Sequence, residues 1–198
     1  MGRSDLTTDN VAGITIKSSN FNAILGLDEH QNYFANGNQT LGDDQSNILR
    51  TPYSSVASTD YNGVSNTDIL CKHCSANQDW VYNWCRTQSI TVNGNTKYGY
   101  LMAAGEMHII FYTNNTLTYI NNLLSLVGGT EIGLTKSYFA STINRYTNTP
   151  NTNDEHSADG TYLYYVWYCK REDNSFSDWL DGCNVQNYFY CRVLFEYD

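Results

Sequence analysis

Basic residues are scarce: 11 Lys and Arg stand against 20 Asp and Glu, a formal charge of -9. With so few cations no face can track a phosphate backbone, so nucleic acid is excluded as a partner. The same deficit argues against docking on an anionic membrane. No apolar run reaches the roughly 20 residues of a membrane-spanning helix, so no membrane insertion is expected. Met1–Asp5 has no apolar leader core, and no signal peptide is read there. Catalytic signatures are missing too. There is no nucleophile elbow, no phosphate-binding glycine loop and no His-x-x-x-His helix, and the four His (30, 73, 108 and 156) are scattered. The expectation is a non-enzyme.

What the chain has is asparagine and tyrosine, 24 and 17 of its 198 residues. Together they suit recognition surfaces, where rigid rings supply contact area and amides supply adaptable hydrogen bonds. They also suit strands joined by polar turns. Residues 138–198 hold 15 of the 28 aromatics, so the C-terminal third is the expected contact region. The length fits one domain with an appendage. The division read here is an N-terminal β/loop extension over 1–60, oligomerising or packed on the rest, and a main domain over 61–198.

Short strands are predicted at Val11–Lys17, Phe21–Leu27 and Gln31–Phe34, separated by turn residues. Ser75–Thr87 is predicted helical, with Trp80, Val81, Trp84 and Cys85 on one stripe. Ile90–Asn95 reads as a strand and turn. A second helix follows Tyr98–Glu106 through Ile109, Ile110 and Tyr112. A third runs from Asn115 to Val127 and ends at Gly128-Gly129. Ser141–Gly160 reads as a long polar loop. Tyr162–Cys169 and Tyr188–Tyr197 read as strands. An inward Cys191 turns Tyr188 and Tyr190 to the other face, and an inward Cys169 turns Tyr162, Tyr164 and Tyr168 outward.

Six cysteines form an early cluster (71, 74, 85) and a late one (169, 183, 191), an even number that suits disulfides outside the cytosol. Cys71-Lys72-His73-Cys74 has the gap of a zinc knuckle or a redox motif. A local disulfide or plain thiols read ahead of both, because no second Cys-x-x-Cys follows to complete a zinc site and no βαβ pattern surrounds the motif.

The order Cys169…Trp179-Leu180-Asp181-Gly182-Cys183…Tyr190-Cys191 resembles the closing half of a C-type lectin domain. Gly99-Tyr100-Leu101-Met102-Ala103-Ala104-Gly105-Glu106, then Gly128-Gly129 and Tyr138-Phe139-Ala140-Ser141-Thr142, resembles lectin-fold domains of gut bacteria and phages. These include the variable proteins of diversity-generating retroelements. The resemblance covers about residues 60–198. It implies an α+β C-type lectin fold, with two to three helices on small antiparallel sheets and long C-terminal loops. It also implies disulfides Cys85–Cys191 and Cys169–Cys183.

The expected function is a variable receptor-binding protein of a phage tail or bacterial cell surface, engaging a protein or glycan receptor as a homo-oligomer, a trimer in the manner of phage tips. The candidate ligand-binding residues are Asn144, Tyr146, Tyr162, Tyr164, Tyr168, Asn174, Phe176, Trp179, Asp181, Asn184, Asn187, Tyr188 and Tyr190. Phe139 stands where the family pattern has Trp. Trp179-Leu180-Asp181 lacks the middle Asn of the calcium-binding tripeptide. No metal site and no cofactor are therefore expected. A calcium-dependent lectin using carboxylates among Asp154, Glu155, Asp173, Asp178 and Asp181 is a second reading. A third is an oxidase resembling the formylglycine-generating enzymes, with Cys169 and Cys183 as thiols.

Overall fold

The computed structural model describes residues 11–35, 39–40, 47–51, 53–74, 77–112, 116–133, 135–144, 162–163, 165–169 and 180–197. In chain order the elements are β1 (Ile14–Lys17), β2 (Asn22–Tyr33), β3 (Gln39–Thr40), β4 (Arg50–Thr51), α1 (Ser54–Ala57), α2 (Gly63–His73) and α3 (Val81–Thr87). Then come β5 (Ser89–Val92), β6 (Asn95–Leu101), α4 (Ala104–Tyr112), α5 (Thr116–Val127) and β7 (Tyr138–Asn144). The chain closes with β8 (Tyr162–Leu163), β9 (Tyr165–Cys169), β10 (Leu180–Asn184) and β11 (Tyr188–Glu196). The architecture is α+β.

Nine of the strands join one sheet, whose main path runs β1-β2-β11-β7-β9-β10. The last strand is its centre. β11 runs antiparallel to β2 along one edge. On its other edge it meets β6 through Val193–Phe195 and β7 through the single parallel pair Tyr190–Tyr138. Residues 14–33 are thus built into the same sheet as the C-terminal strand. β3 and β8 form a separate pair.

Both faces of this sheet are covered. On one face Leu25, Tyr100, Tyr138, Trp167, Cys169 and Leu194 pack with Met107, Ile110 and Phe111 of α4 and Leu117, Ile120, Leu124 and Val127 of α5. On the other Ile24, Leu101, Phe139, Val166, Tyr168, Cys191, Val193 and Phe195 pack with Ile69 and Leu70 of α2 and Val81, Tyr82 and Cys85 of α3. Strands covered twice read as near-continuous apolar runs, and alternation then assigns a face without naming an outside. Tyr168 shows the consequence. It was expected outward and is 7% exposed, stacked on Phe189 with ring centroids 5.1 Å apart.

α5 matches its predicted span to within a residue. Of its expected apolar stripe Leu117, Ile120, Leu124 and Val127 face inward, whereas Leu123 is 36% exposed, and Gly128 at φ 76° is the left-handed residue that ends the helix. α3 is shorter than predicted. The Asn77 side chain accepts the Asp79 N–H at 2.9 Å, and the Asn77 carbonyl accepts from Asn83 Nδ2 at 2.6 Å. This Asx turn takes the place of the helix's first turn. α2 has no counterpart in the predicted elements, and its inward face explains why. Asn66 and Thr67 are buried there beside Ile69 and Leu70. Asp60 Oδ2 accepts from Asn66 Nδ2 at 2.9 Å and from Thr142 Oγ1 at 2.6 Å, and Asn66 also reaches Ser141 Oγ at 3.3 Å. The same network buries Ser141 and Thr142, so β7 continues to Asn144 where a polar loop was expected.

Glu106 is a second buried carboxyl, in the first turn of α4. Its Oε2 accepts the Ala103 N–H at 2.7 Å, closing the reach-back half of a capping box. Tyr100 donates to its Oε1 at 3.4 Å. A side chain at Gly63 would place its Cβ 2.4 Å from Glu106 Oε2, so α2 can start against this carboxyl only at a glycine. Burial raises the Glu106 pKa to about 8, opposed by the Ala103 hydrogen bond and reinforced by Asp60. Glu106 is thus mainly a neutral acid at pH 7.

Candidate functional site

One end of the sheet leaves the first face open to solvent. There β2 and β11 carry a ladder of facing residues: Tyr33 opposite Tyr188, Gln31 opposite Tyr190, and Glu29 opposite Arg192. The outermost rung is aromatic and exposed. Tyr33 and Tyr188 are 47% and 51% accessible, and their rings meet edge to face with centroids 5.1 Å apart. The Gln31 amide extends along the rung and donates to the Tyr188 carbonyl at 3.4 Å. Asn187, half-buried, sits in the turn that feeds β11.

The middle rung is half-buried. Tyr190 packs on Tyr138, centroids 5.8 Å apart, and Lys136 Nζ lies 4.5 Å from the Tyr190 ring centre, a cation–π contact. The Tyr190 N–H donates to the Ser137 carbonyl at 2.9 Å, which ties the ladder to the start of β7.

The innermost rung is a charged cluster. Arg192 is fully buried. It donates to the carbonyls of Gly26 and Leu27 at 3.2 Å each and of Thr130 at 2.5 Å. Its guanidinium lies 3.6 Å from Glu29 Oε2. Glu29 also pairs with Lys136 and accepts the Tyr138 hydroxyl at 2.7 Å. Burial pulls the Arg192 pKa down while the Tyr138 and Glu29 charges push it up. Tyr138 is raised, by burial first and then by its bond to Glu29. The cluster coincides with a register irregularity between Arg192 and Leu194, where β2 places extra residues against β11. Arg192 binds the displaced Gly26 and Leu27 carbonyls, so it stabilises the bulge that aims the outer rungs.

The expected binding residues divide four ways. Asn187, Tyr188 and Tyr190 come together at this open end. Asn144 and Tyr168 are buried, 8% and 7% accessible, and line no surface. Asn144 ends β7 opposite Thr51 of β4, where every β7 residue is covered. The backbone places Tyr162 in β8 opposite Thr40, Asp181 in β10 opposite Tyr168, and Asn184 opposite Tyr165. Tyr146, Tyr164, Asn174, Phe176 and Trp179 lie outside the described residues, as do Asp154, Glu155, Asp173 and Asp178. Among the described residues no group of three or more His, Cys, Asp or Glu is placed to hold a metal ion.

Reading the sequence for a site missed Glu29, Gln31, Tyr33 and Lys136. Asp28 to Tyr33 is a polar run that looks like the end of a strand. Its odd-numbered members continue the face begun by Ala23, Leu25 and Leu27, and that parity was the available signal.

The cysteines divide as well. Cys85 and Cys191 are buried thiols with sulfurs 3.9 Å apart. Cys169 and Cys183 are not set for a disulfide. Cys169 pairs across the ladder with Leu180, and Cys183 with Val166. Three rungs at about 3.3 Å each put the two Cα atoms beyond the ~7 Å a disulfide spans. The Cys169 sulfur instead lies 2.7 Å from the Tyr112 hydroxyl, on the sheet face opposite Cys191.

No known protein family and no curated protein matches the chain. Among solved structures, a fimbrial protein from Bacteroides ovatus ATCC 8483 shares the fold, with a TM-score of 0.60 at 14% identity. The match covers 89% of this chain, which spans only 36% of that protein. Among the described residues no helix is long and apolar enough to cross a membrane.

Proposed function

We propose that the chain is a non-enzymatic recognition domain of lectin-like type. In this reading it is displayed on a bacterial or phage surface and binds a protein or glycan receptor through the open end of its first sheet face. The observation that carries the reading is the Tyr33–Tyr188 pair. Two tyrosines, each about half exposed, meet edge to face on paired strands, two rungs out from the Glu29–Arg192 ion pair. Such rings are pre-organised, and their burial by a ligand costs little further order. Gln31 and Asn187 beside them supply donors and acceptors that orient a polar ligand. The order of Cys169, the Trp179–Asp181 run, Cys183 and Cys191 supports the lectin-like part. The likeness to a fimbrial protein supports the surface location.

The test uses the labelled full chain on arrayed glycans and on intact bacterial cells, beside a Tyr33→Ala/Tyr188→Ala double variant. Saturable binding that weakens at least about tenfold in the variant, with little change in melting, is expected; that loss corresponds to about 1.4 kcal/mol. Equal binding by the two proteins would sink the reading.

A further inference from the structure

Four cysteines gather on the second sheet face, and the reading above uses none of them. Cys71 and Cys74 lie in and just after the last turn of α2, Cys85 in α3 and Cys191 in β11. Cys74, Cys85 and Cys191 are wholly buried, whereas Cys71 is partly exposed. The Cys191 sulfur lies 3.9 Å from the Val81 carbonyl and the Cys71 sulfur 3.8 Å from the Tyr82 carbonyl. Those carbonyls open α3 and point along its axis toward the turn that carries Cys85 and Arg86. Cys71 and Cys191 therefore flank Cys85. Cys191 is 3.9 Å from it, and Cys71 approaches through the Tyr82 carbonyl, which lies one helical turn before Cys85 and Arg86. The Tyr82 hydroxyl donates to the Cys74 carbonyl at 2.6 Å, which joins the end of α2 to α3.

An external oxidant cannot reach Cys85 or Cys191 in the folded chain. It can reach Cys71. We propose that Cys71 is a relay thiol that accepts oxidation from a small-molecule disulfide and passes it inward, so that a Cys85–Cys191 cross-link forms without unfolding.

The Cys71 thiolate attacks the external disulfide, forming a mixed disulfide and releasing one thiolate of the oxidant. Cys85 then attacks the Cys71 sulfur, forming Cys71–Cys85 and releasing the second. Cys191 attacks the Cys85 sulfur, forming Cys85–Cys191 and returning Cys71 as a thiol. In sum, two protein thiols lose two electrons and two protons, and one small disulfide becomes two thiols. The closed link ties α3 to the central strand. Burial, with the Cys74 charge, raises the Cys71 pKa to about 11. Below that value the first step should quicken about tenfold per pH unit.

The test starts from the reduced full chain and glutathione disulfide, followed by acid quenching, alkylation and peptide mass mapping. In the native chain Cys85–Cys191 accumulates. In Cys71→Ser its initial rate falls at least about tenfold. Loss of fold cannot mimic that slowing, because unfolding exposes the buried pair and speeds its oxidation. In Cys191→Ser the intermediate Cys71–Cys85 link accumulates. A native rate in a Cys71→Ser chain of native melting temperature would overturn the relay. So would a Cys191→Ser product in which Cys71 carries glutathione or is joined to Cys74 while Cys85 stays a thiol.

Discussion

Two buried residues set the limits within which this chain folds. Glu106 has a folded pKa of about 8, above its ordinary 4.5. The folded state therefore holds a proton that the unfolded chain releases between those values. The associated stability is complete below about pH 4.5 and is lost as pH rises through 8. Urea titrations at pH 5, 7 and 9 should show stability falling on the order of 3 kcal/mol over this range. Glu106→Gln, which keeps an acceptor for the Ala103 N–H, should flatten that slope; an unchanged slope would show that another group is responsible. Arg192 is the other case. It serves the Gly26, Leu27 and Thr130 carbonyls and faces Glu29. Arg192→Met would leave those carbonyls and a nearly buried carboxylate without their cation, at a cost of about 3–5 kcal/mol by chemical denaturation. A loss under about 1 kcal/mol would mean that Lys136 alone compensates Glu29.

At the scale of elements, apolar stripes were legible and polar interiors were not. α5 was read to within a residue because Leu117, Ile120, Leu124 and Val127 repeat at helical spacing. α2 and the end of β7 escaped because Asn66, Ser141 and Thr142 face inward onto one another and Asp60, and Thr67 faces inward onto the backbone of Leu101. A hydrophobic period cannot report a helix whose buried positions are amides and hydroxyls. The strands failed differently. Alternation along β9 and β11 was real, but both resulting faces are packed, so Tyr168 was assigned to solvent and lies in the core. Tyr168→Ala should therefore cost about 3 kcal/mol of stability, like other large-to-small core changes. Tyr188→Ala, at an exposed rung, should cost less than about 1 kcal/mol. Thermal melts of the two variants side by side check this; equal shifts would contradict the two-faced sheet.

For the whole molecule, the composition pointed to the C-terminal strand, which supplies one half of the facing Tyr33–Tyr188 pair. Of the exposed tyrosines among the described residues only Tyr188 lies in 138–198, whereas Tyr33, Tyr53, Tyr98 and Tyr119 precede it; the C-terminal strand carries Tyr188 and the half-buried Tyr190. β2 supplies the other half, since Tyr188 meets Tyr33 and Arg192 meets Glu29 across more than 150 residues of sequence. That pairing is a product of topology, in which the first long strand and the last one are neighbours, and no local pattern contains it. The α+β class was legible, as were the segments that form α4 and α5. The double covering of the sheet follows only once helices from two separate stretches are seen on opposite sides.

Recognition at the open Tyr33–Tyr188 end, as proposed, is distinguishable from adhesion through exposed tyrosine in general. The most direct measurement compares binding isotherms on intact bacterial cells for the native chain, Tyr188→Ala and Tyr119→Ala. Tyr119 lies on α5 and is 73% accessible, more exposed than Tyr188. The account predicts that Tyr188→Ala weakens binding at least about tenfold while Tyr119→Ala binds like the native chain. Native binding by Tyr188→Ala, or equal losses in the two variants, would contradict it.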